Sequence, residues 1–407
     1  MSYYDVNEKV RRQYIESCQK REALLQAVAL KHKFRGSMYW MTAKGHEYLV
    51  LKRDGLPPKR VDTGKRSPET EAIQAKFKAG RRDADQRFHE INQSYVETEK
   101  LNVVFRVGRV PNVVVGILER LRRAGLQDKL LVIGTNAIFA YETCAGVRFN
   151  NAEMLATEDA DLLWDSRQKI VLASDPELNE GGLLGLLQSV DRTFMLSDGK
   201  SRAINASGYM VDLIKRRPVS LFDDHEAQQL APNEEDFWAA KITNMDWLLS
   251  APRFRQVVVG TNGAMAEMVT VDPRAFVLFK LWVSQKEDRR PDKKVRDLNQ
   301  ARAVFDLVED RFPHLSFSNV HWFPERVRKL LDTSIEEVKA VPGEWEKVMA
   351  QADGLAHKLH PTDVRQQNTT RRAEALRLGM SPTEYERLLR QDNGPEHGAG
   401  GVVGKGR

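Results

Sequence analysis

The stretch LLVIGTNAIFAY, residues 130–141, constrains the fold most. An unbroken apolar run followed by Gly134-Thr135-Asn136 and a second apolar run reads as a buried strand that turns into a helix. Downstream, residues 159–164, 169–173, 193–196, 201–205 and 208–214 read as further strands. Strands interleaved with helices predict a sheet domain of the α/β or α+β type. Hydrophobic residues make up 41% of the 407 and charged residues 29%, which is enough apolar material for real cores and excludes a mainly disordered chain.

The flanks read differently. Residues 5–32 predict a helix, and residues 37–52 predict a β-hairpin opened by Gly36, turned at Lys44-Gly45 and closed by Gly55. Residues 67–101 are charged and helix-forming, with Pro68 near the start and Glu69 and Glu71 in the first turn. Residues 113–123 predict a helix with Asn112 as N-cap. A strand-rich stretch over 254–271 precedes helices over 273–284 and 293–309, and the remainder is expected to be helical before a polar, Gly-rich tail.

Several classes drop out. No run approaches the roughly 20 apolar residues of a membrane span, and Lys280 breaks the most apolar one, Phe276 to Val283. The opening MSYYDVNEKV lacks the apolar stretch of a signal peptide. Two cysteines are too few for a disulfide framework or a cysteine zinc site, so a reduced cytoplasmic setting is expected. A net charge of +6 permits a nucleotide or nucleic-acid partner without demonstrating one. P-loop, G-x-S-x-G, kinase and H-E-x-x-H signatures are absent.

The acids carry the chemistry. Asp159 and Asp161 stand two apart in TEDADLLW, and Asp212 sits in GYMVDLIK. Residues i and i+2 of a strand share a face, so the pair presents two carboxylates side by side. Like charges that close need a divalent cation or a proton. With 57 acids in 407 residues, chance supplies about eight such pairs, so spacing alone decides nothing. Context does: most acidic pairs lie in charged helices, whereas these three acids lie in apolar strands after a Gly turn. Such a nest of hard oxygens suits Mg²⁺ or Mn²⁺ carrying phosphates. Backbone N–H groups at the Gly134-Thr135-Asn136 turn are suited to phosphate oxygens. Lys200 and Arg202 flank strands near Asp212; they read as a solvated hairpin tip or, alternatively, as phosphate contacts.

Strand, Gly-[Ser/Thr], helix, Asp-x-Asp and a third strand Asp is a pattern that resembles the DNA polymerase β-like nucleotidyltransferase superfamily. Residues 109–303 look more particularly like a group of bacterial nucleotidyltransferase-fold proteins, through IGTNAIFAYE, GVRF, EDADLLWD, SVDRTF, INASGYMVDLI and DPRAFVLFKLWVS. The hairpin and RSPETEAI extend the likeness over most of residues 1–310. The usual Gly-Ser is Gly134-Thr135 here, and the gap to Asp159 is longer than in the compact polymerase pattern. A more distant likeness is to AbiEii-type nucleotidyltransferases of toxin–antitoxin and phage-defence systems. It places Arg148 before the Asp pair, Lys280 on a helix and Asp297 in KKVRDLNQA.

The resemblance implies an α+β fold: a polymerase β-like mixed sheet with flanking helices, N-terminal helices with a hairpin, and a helical C-terminal region. The divisions are 1–105, 106–222 for the nucleotidyltransferase core, 223–352 and a polar, partly flexible tail, 353–407. It also implies a metal-dependent enzyme moving an NMP from an NTP to a hydroxyl on RNA, a tRNA end or a protein. Asp159, Asp161 and Asp212 would hold Mg²⁺ or Mn²⁺; Gly134, Thr135, Asn136, Arg148, Lys200 and Arg202 would meet the nucleotide. Lys280 would neutralise the triphosphate, with Asp297 orienting it or a base. An antitoxin or other partner protein belongs to the defence setting. The alternative is a catalytically weak module of the same fold that binds nucleic acid or a partner protein through its basic N-terminal helices and hairpin.

Overall fold

The computed structural model describes residues 3–53, 57–61, 65–167, 176–217, 229–230, 233 and 235–329. The sequence expectations at Gly55, over 169–173 and from 330 onward lie outside them. No helix among the described residues is long and apolar enough to cross a membrane.

The chain opens with a short strand that sequence reading missed, β1 (Tyr3–Asp5), before α1 (Glu8–Lys33), the hairpin β2 (Ser37–Ala43) and β3 (His46–Lys52), β4 (Lys59–Arg60) and α2 (Pro68–Val104). Local rules account for the ends. Asn7 accepts the backbone N–H of Lys9 at the start of α1, and Lys31, His32 and Lys33 close it against the negative end of the helix dipole. Ser67 and Thr70 form a reciprocal cap on α2. A buried polar seam joins the helical pair: Asn102 accepts from Gln13 and from Ser17 and donates to the carbonyl of Gly263 at 3.1 Å. That last bond ties the pair to a turn of the central sheet.

Next come α3 (Asn112–Arg123), β5 (Leu130–Ile133), a single 3₁₀ turn (Gly134–Asn136), α4 (Ala137–Ala145), β6 (Val147–Phe149), α5 (Ala152–Leu155) and β7 (Asp159–Trp164). They are followed by α6 (Pro176–Val190), β8 (Met195–Leu196), β9 (Arg202–Ile204), β10 (Met210–Arg216), β11 (Ala240–Ile242) and α7 (Met245–Ser250). β12 (Arg253–Val259), β13 (Met265–Val271), α8 (Pro273–Ser284) and α9 (Pro291–Arg311) complete the described elements. The N-cap of α3 is Pro111, and Asn112 is its first residue. Its side chain instead accepts from the Thr261 hydroxyl and the Asn262 N–H, where it pins the β12–β13 turn.

The central sheet is mixed and has eight strands in the order β12-β13-β5-β7-β10-β9-β8, with β11 also paired to β10. β12 and β13 lie beyond residue 222 in the chain yet belong to this sheet, because β13 pairs parallel with β5 through Thr270 and Val132. All four residues of β5 are buried. α4 packs on β12 and β13, with Tyr141 edge-on against Phe254 of β12 and Phe276 of α8. The result is the α+β sheet with flanking helices that the sequence predicts.

Candidate active site

Register decides which acids meet. β7 pairs antiparallel with β5 so that Asp161 stands opposite Ile133. β10 pairs parallel with β7 so that Asp212 stands opposite Asp161. β9 pairs antiparallel with β10 so that Arg202 stands opposite Asp212. One row therefore crosses four strands: Ile133, Asp161, Asp212, Arg202. Asp159 lies two residues before Asp161, on the same face.

The turn after β5 closes onto this row. Gly134 has φ +70, and a Cβ at that position would overlap Oδ2 of Asp161. Glycine is required both for the left-handed backbone and for the close approach. The Asn136 amide donates to the carbonyl of Asp159 at 2.7 Å, and the Tyr209 hydroxyl donates to the same carbonyl at 3.1 Å. The other end of that amide, Asn136 Oδ1, is buried without a partner. Thr157 donates its hydroxyl to Asp159 Oδ1.

The electrostatics follow from the register. Asp161 is half-buried, and its carboxyl is pushed up to about 7, first by burial, then by the charges of Asp159 and Asp212; Lys280 and Arg202 oppose the shift. Arg202 donates from Nε and Nη2 to the two oxygens of Asp212, 2.7 Å each, so the third acid is neutralised by a bidentate pair. Among the described residues no group of three or more His, Cys, Asp or Glu side chains stands ready as a metal cage. The donor chemistry of Asp159 and Asp161, two like charges backed by a glycine cradle, fits a hard divalent cation. Both oxygens of Asp212 are taken by Arg202.

Behind the row lies a buried charge network. Lys280 on α8 meets Asp297 Oδ1 on α9 at 2.7 Å, and Arg289 meets Asp297 Oδ2 at 2.6 Å. Asp297 is fully buried. Burial pushes the Lys280 ammonium down, while Asp297 and then Asp161 hold it up, so Lys280 lies within the field of the acid row.

The structure places the remaining sequence candidates as follows. Thr135 is buried, and its hydroxyl accepts from Gln300 at 3.1 Å. Lys200 occupies the β8–β9 turn with φ +51, its carbonyl accepting the N–H of Trp238. Arg148 is not brought to the row. It lies on β6, which pairs with β1 in a separate two-stranded sheet, and its guanidinium donates to the carbonyls of Arg106 and Val107. Sequence reading missed Gln300, Tyr209 and Thr157. Gln300 follows Asp297 by three residues and so shares its helix face, a spacing from which it was legible.

The chain matches the model of a nucleotidyltransferase family over residues 112–321, just over half its length. It belongs to that family. The matched span holds the whole acid row, the Gly134 turn, β12 and β13, Lys280 and Asp297, and it leaves α1, the hairpin and α2 outside. Comparison with curated proteins gives no match, and comparison with solved structures gives none. Membership supports nucleotidyl transfer in general, so the acid row is the part of this nucleotidyltransferase from which a specific chemistry is argued.

Proposed function

We propose that this chain transfers the NMP of an NTP to a hydroxyl acceptor, on RNA, a tRNA end or a protein, at the row formed by Asp159, Asp161 and Asp212. The observation that carries the reading is the convergence of three strand carboxylates with a glycine turn in register. Asp159 and Asp161 would hold Mg²⁺ or Mn²⁺, which when bound stabilises charge on the transferring phosphoryl group. The Gly134–Asn136 turn would direct its backbone N–H groups at the outer phosphates. Arg202 would exchange Asp212 for a phosphate oxygen, and the freed Asp212 would take the proton of the acceptor hydroxyl. A bond forms between that oxygen and the α-phosphorus, the bond to the β-phosphate bridge breaks, and pyrophosphate leaves. Lys280, fixed by Asp297, would supply positive charge from behind the row.

The test is to incubate the protein with each α-labelled NTP, divalent cation and total RNA or lysate. Label should pass to an acceptor from at least one NTP, and Asp161→Asn should abolish it. Absence of transfer from all four NTPs would sink the reading.

A second reading is a catalytically weak module of the same fold. It is favoured by one observation, the occupation of both Asp212 oxygens by Arg202. If it holds, NTP binds without turnover whatever acceptor is offered. A setting in toxin–antitoxin pairing or phage defence rests on the likeness of Lys280 and Asp297 to AbiEii-type enzymes, and a small cotranscribed neighbour gene would favour it.

A further inference from the structure

A second site lies away from the acid row. α1, α2, the β2–β3 hairpin and the end of α3 enclose a cavity of about 1010 Å³. Small-molecule sites run to roughly 1,000 Å³ at most, so this volume suits several linked units rather than one. Its walls carry Lys31, Arg35, Lys52, Arg81, Arg122 and Arg123 against two carboxylates, Asp85 and Glu119.

Those carboxylates are outnumbered locally. Glu119 is met by Arg122 at 2.7 Å, Arg123 at 3.1 Å and the buried Arg21 at 3.4 Å. Asp85 is met by Lys31 at 3.1 Å and Arg81 at 3.8 Å. Setting aside Arg35, which has a partner of its own, five cations meet two carboxylates, a surplus of positive charge facing a partly enclosed space, where field lines are focused. The apolar part of the lining is also specific. Leu24, Leu25 and Val28 come from one face of α1, and Phe34 and Phe88 add aromatic rings. Asn92 and Ser37 add neutral hydrogen-bonding groups.

We propose that this cavity binds single-stranded RNA. Cations surrounding apolar and aromatic surface are the composition that holds phosphates on the walls and bases on the floor. Asn92 and Ser37 are suited to ribose hydroxyls, the groups that distinguish RNA from DNA. The choice of RNA rests on the reading that the acceptor hydroxyl belongs to RNA.

The location fits an anchoring role. Arg122 lies in the field of Glu267. By the register of β13 on β5, Glu267 is level with the residue before β5 begins, whereas Asp161 is level with its last residue, Ile133. Glu267 and the acid row thus lie toward opposite ends of β5, roughly 13 Å of strand apart, with the cavity on the Glu267 side. The cavity would hold the body of an acceptor whose end reaches the acid row.

The experiment measures anisotropy of a labelled mixed-sequence 12-nucleotide RNA with the full chain, without NTP or divalent cation. Competitors are the same sequence as DNA and a poly-glutamate peptide. RNA should bind, and its affinity should fall at least tenfold from 50 to 200 mM salt as counterions are released on contact with several phosphates. Lys52→Glu with Arg123→Glu should weaken binding at least tenfold. Lys20→Glu with Lys78→Glu, exposed on the same helices but outside the cavity, should change it less than twofold. Thermal melting checks folding, and Lys52→Ala replaces the double variant if that one does not fold. Equal loss in the cavity and control variants, or equal competition by DNA or poly-glutamate, overturns the proposal. RNA binding is read without NTP or divalent cation and transfer needs both, so failure of transfer and failure of this site are separable.

Discussion

Arg202 and Asp212 stand directly opposite each other on β9 and β10 and are joined by two parallel hydrogen bonds of 2.7 Å. The carboxylate that should complete a metal site is thereby held by a side chain that should meet phosphates. The pair is only partly buried, so its coupling is screened and worth about 1 kcal/mol. Arg202→Ala should therefore raise the Mn²⁺ affinity of the NTP-free protein by about fivefold. Calorimetry on wild type and variant checks this, and an unchanged affinity would mean that Asp212 is not a ligand. Asp212→Asn should abolish transfer while NTP binding survives, a difference that single-turnover assays and NTP titrations resolve.

Asp161 gives the pH dependence. Its carboxyl, ordinarily near 3.8, is raised to about 7, mainly by burial. Between those values the folded metal-free protein binds a proton that the unfolded chain does not, so stability falls as pH rises through this window. A divalent cation competes with the same proton, so its affinity should rise from pH 5.5 to 7.5. Melting in chelator at both pH values should show wild type losing stability and Asp161→Asn losing less. If the two respond alike, the carboxyl is not raised.

Much of this arrangement was legible before any fold was known. β7 and α8 fall at the expected limits because a strand of alternating burial and a Pro-initiated helix are local signals. The acids were legible because charge inside apolar strands is costly and needs a reason. The pairing of Arg202 with Asp212 was not, since register across β9 and β10 is set by long-range packing. Nor was the distance of Arg148 from the row, because a three-residue strand does not announce which sheet it joins. The membership of β12 and β13 in the central sheet was hidden for the same reason: both lie beyond the expected core of 106–222 and join it only through the pairing of β13 with β5.

Gly134 offers a test of the cradle. Gly134→Ala places a methyl group against Asp161 Oδ2 at a positive φ. Left-handed backbone costs a non-glycine residue roughly 1–2 kcal/mol, a moderate loss that leaves the protein folded. Transfer should fall far more than stability, because the carboxylate must move away from Asp159. Parallel melting and transfer assays decide; retained activity would show that the turn does not position Asp161.

The buried network behind the row separates stability from function. Asp297 balances Lys280 and Arg289 with one oxygen each. Asp297→Ala leaves Lys280 buried without its nearest counter-charge, and breaking a buried pair in this way costs about 3–5 kcal/mol. Lys280→Met should cost less, since Asp297 keeps Arg289 and the apolar stem is replaced by one of similar length. If Lys280 serves the triphosphate, that same variant should bind NTP roughly ten- to a hundredfold more weakly, the equivalent of a charge-assisted contact of about 1.5–3 kcal/mol. Chemical denaturation gives the first comparison and NTP titration the second. Normal NTP binding and transfer by a folded Lys280→Met would reduce Lys280 to a counter-ion of Asp297, and the likeness to AbiEii-type enzymes would then rest on the acid row alone.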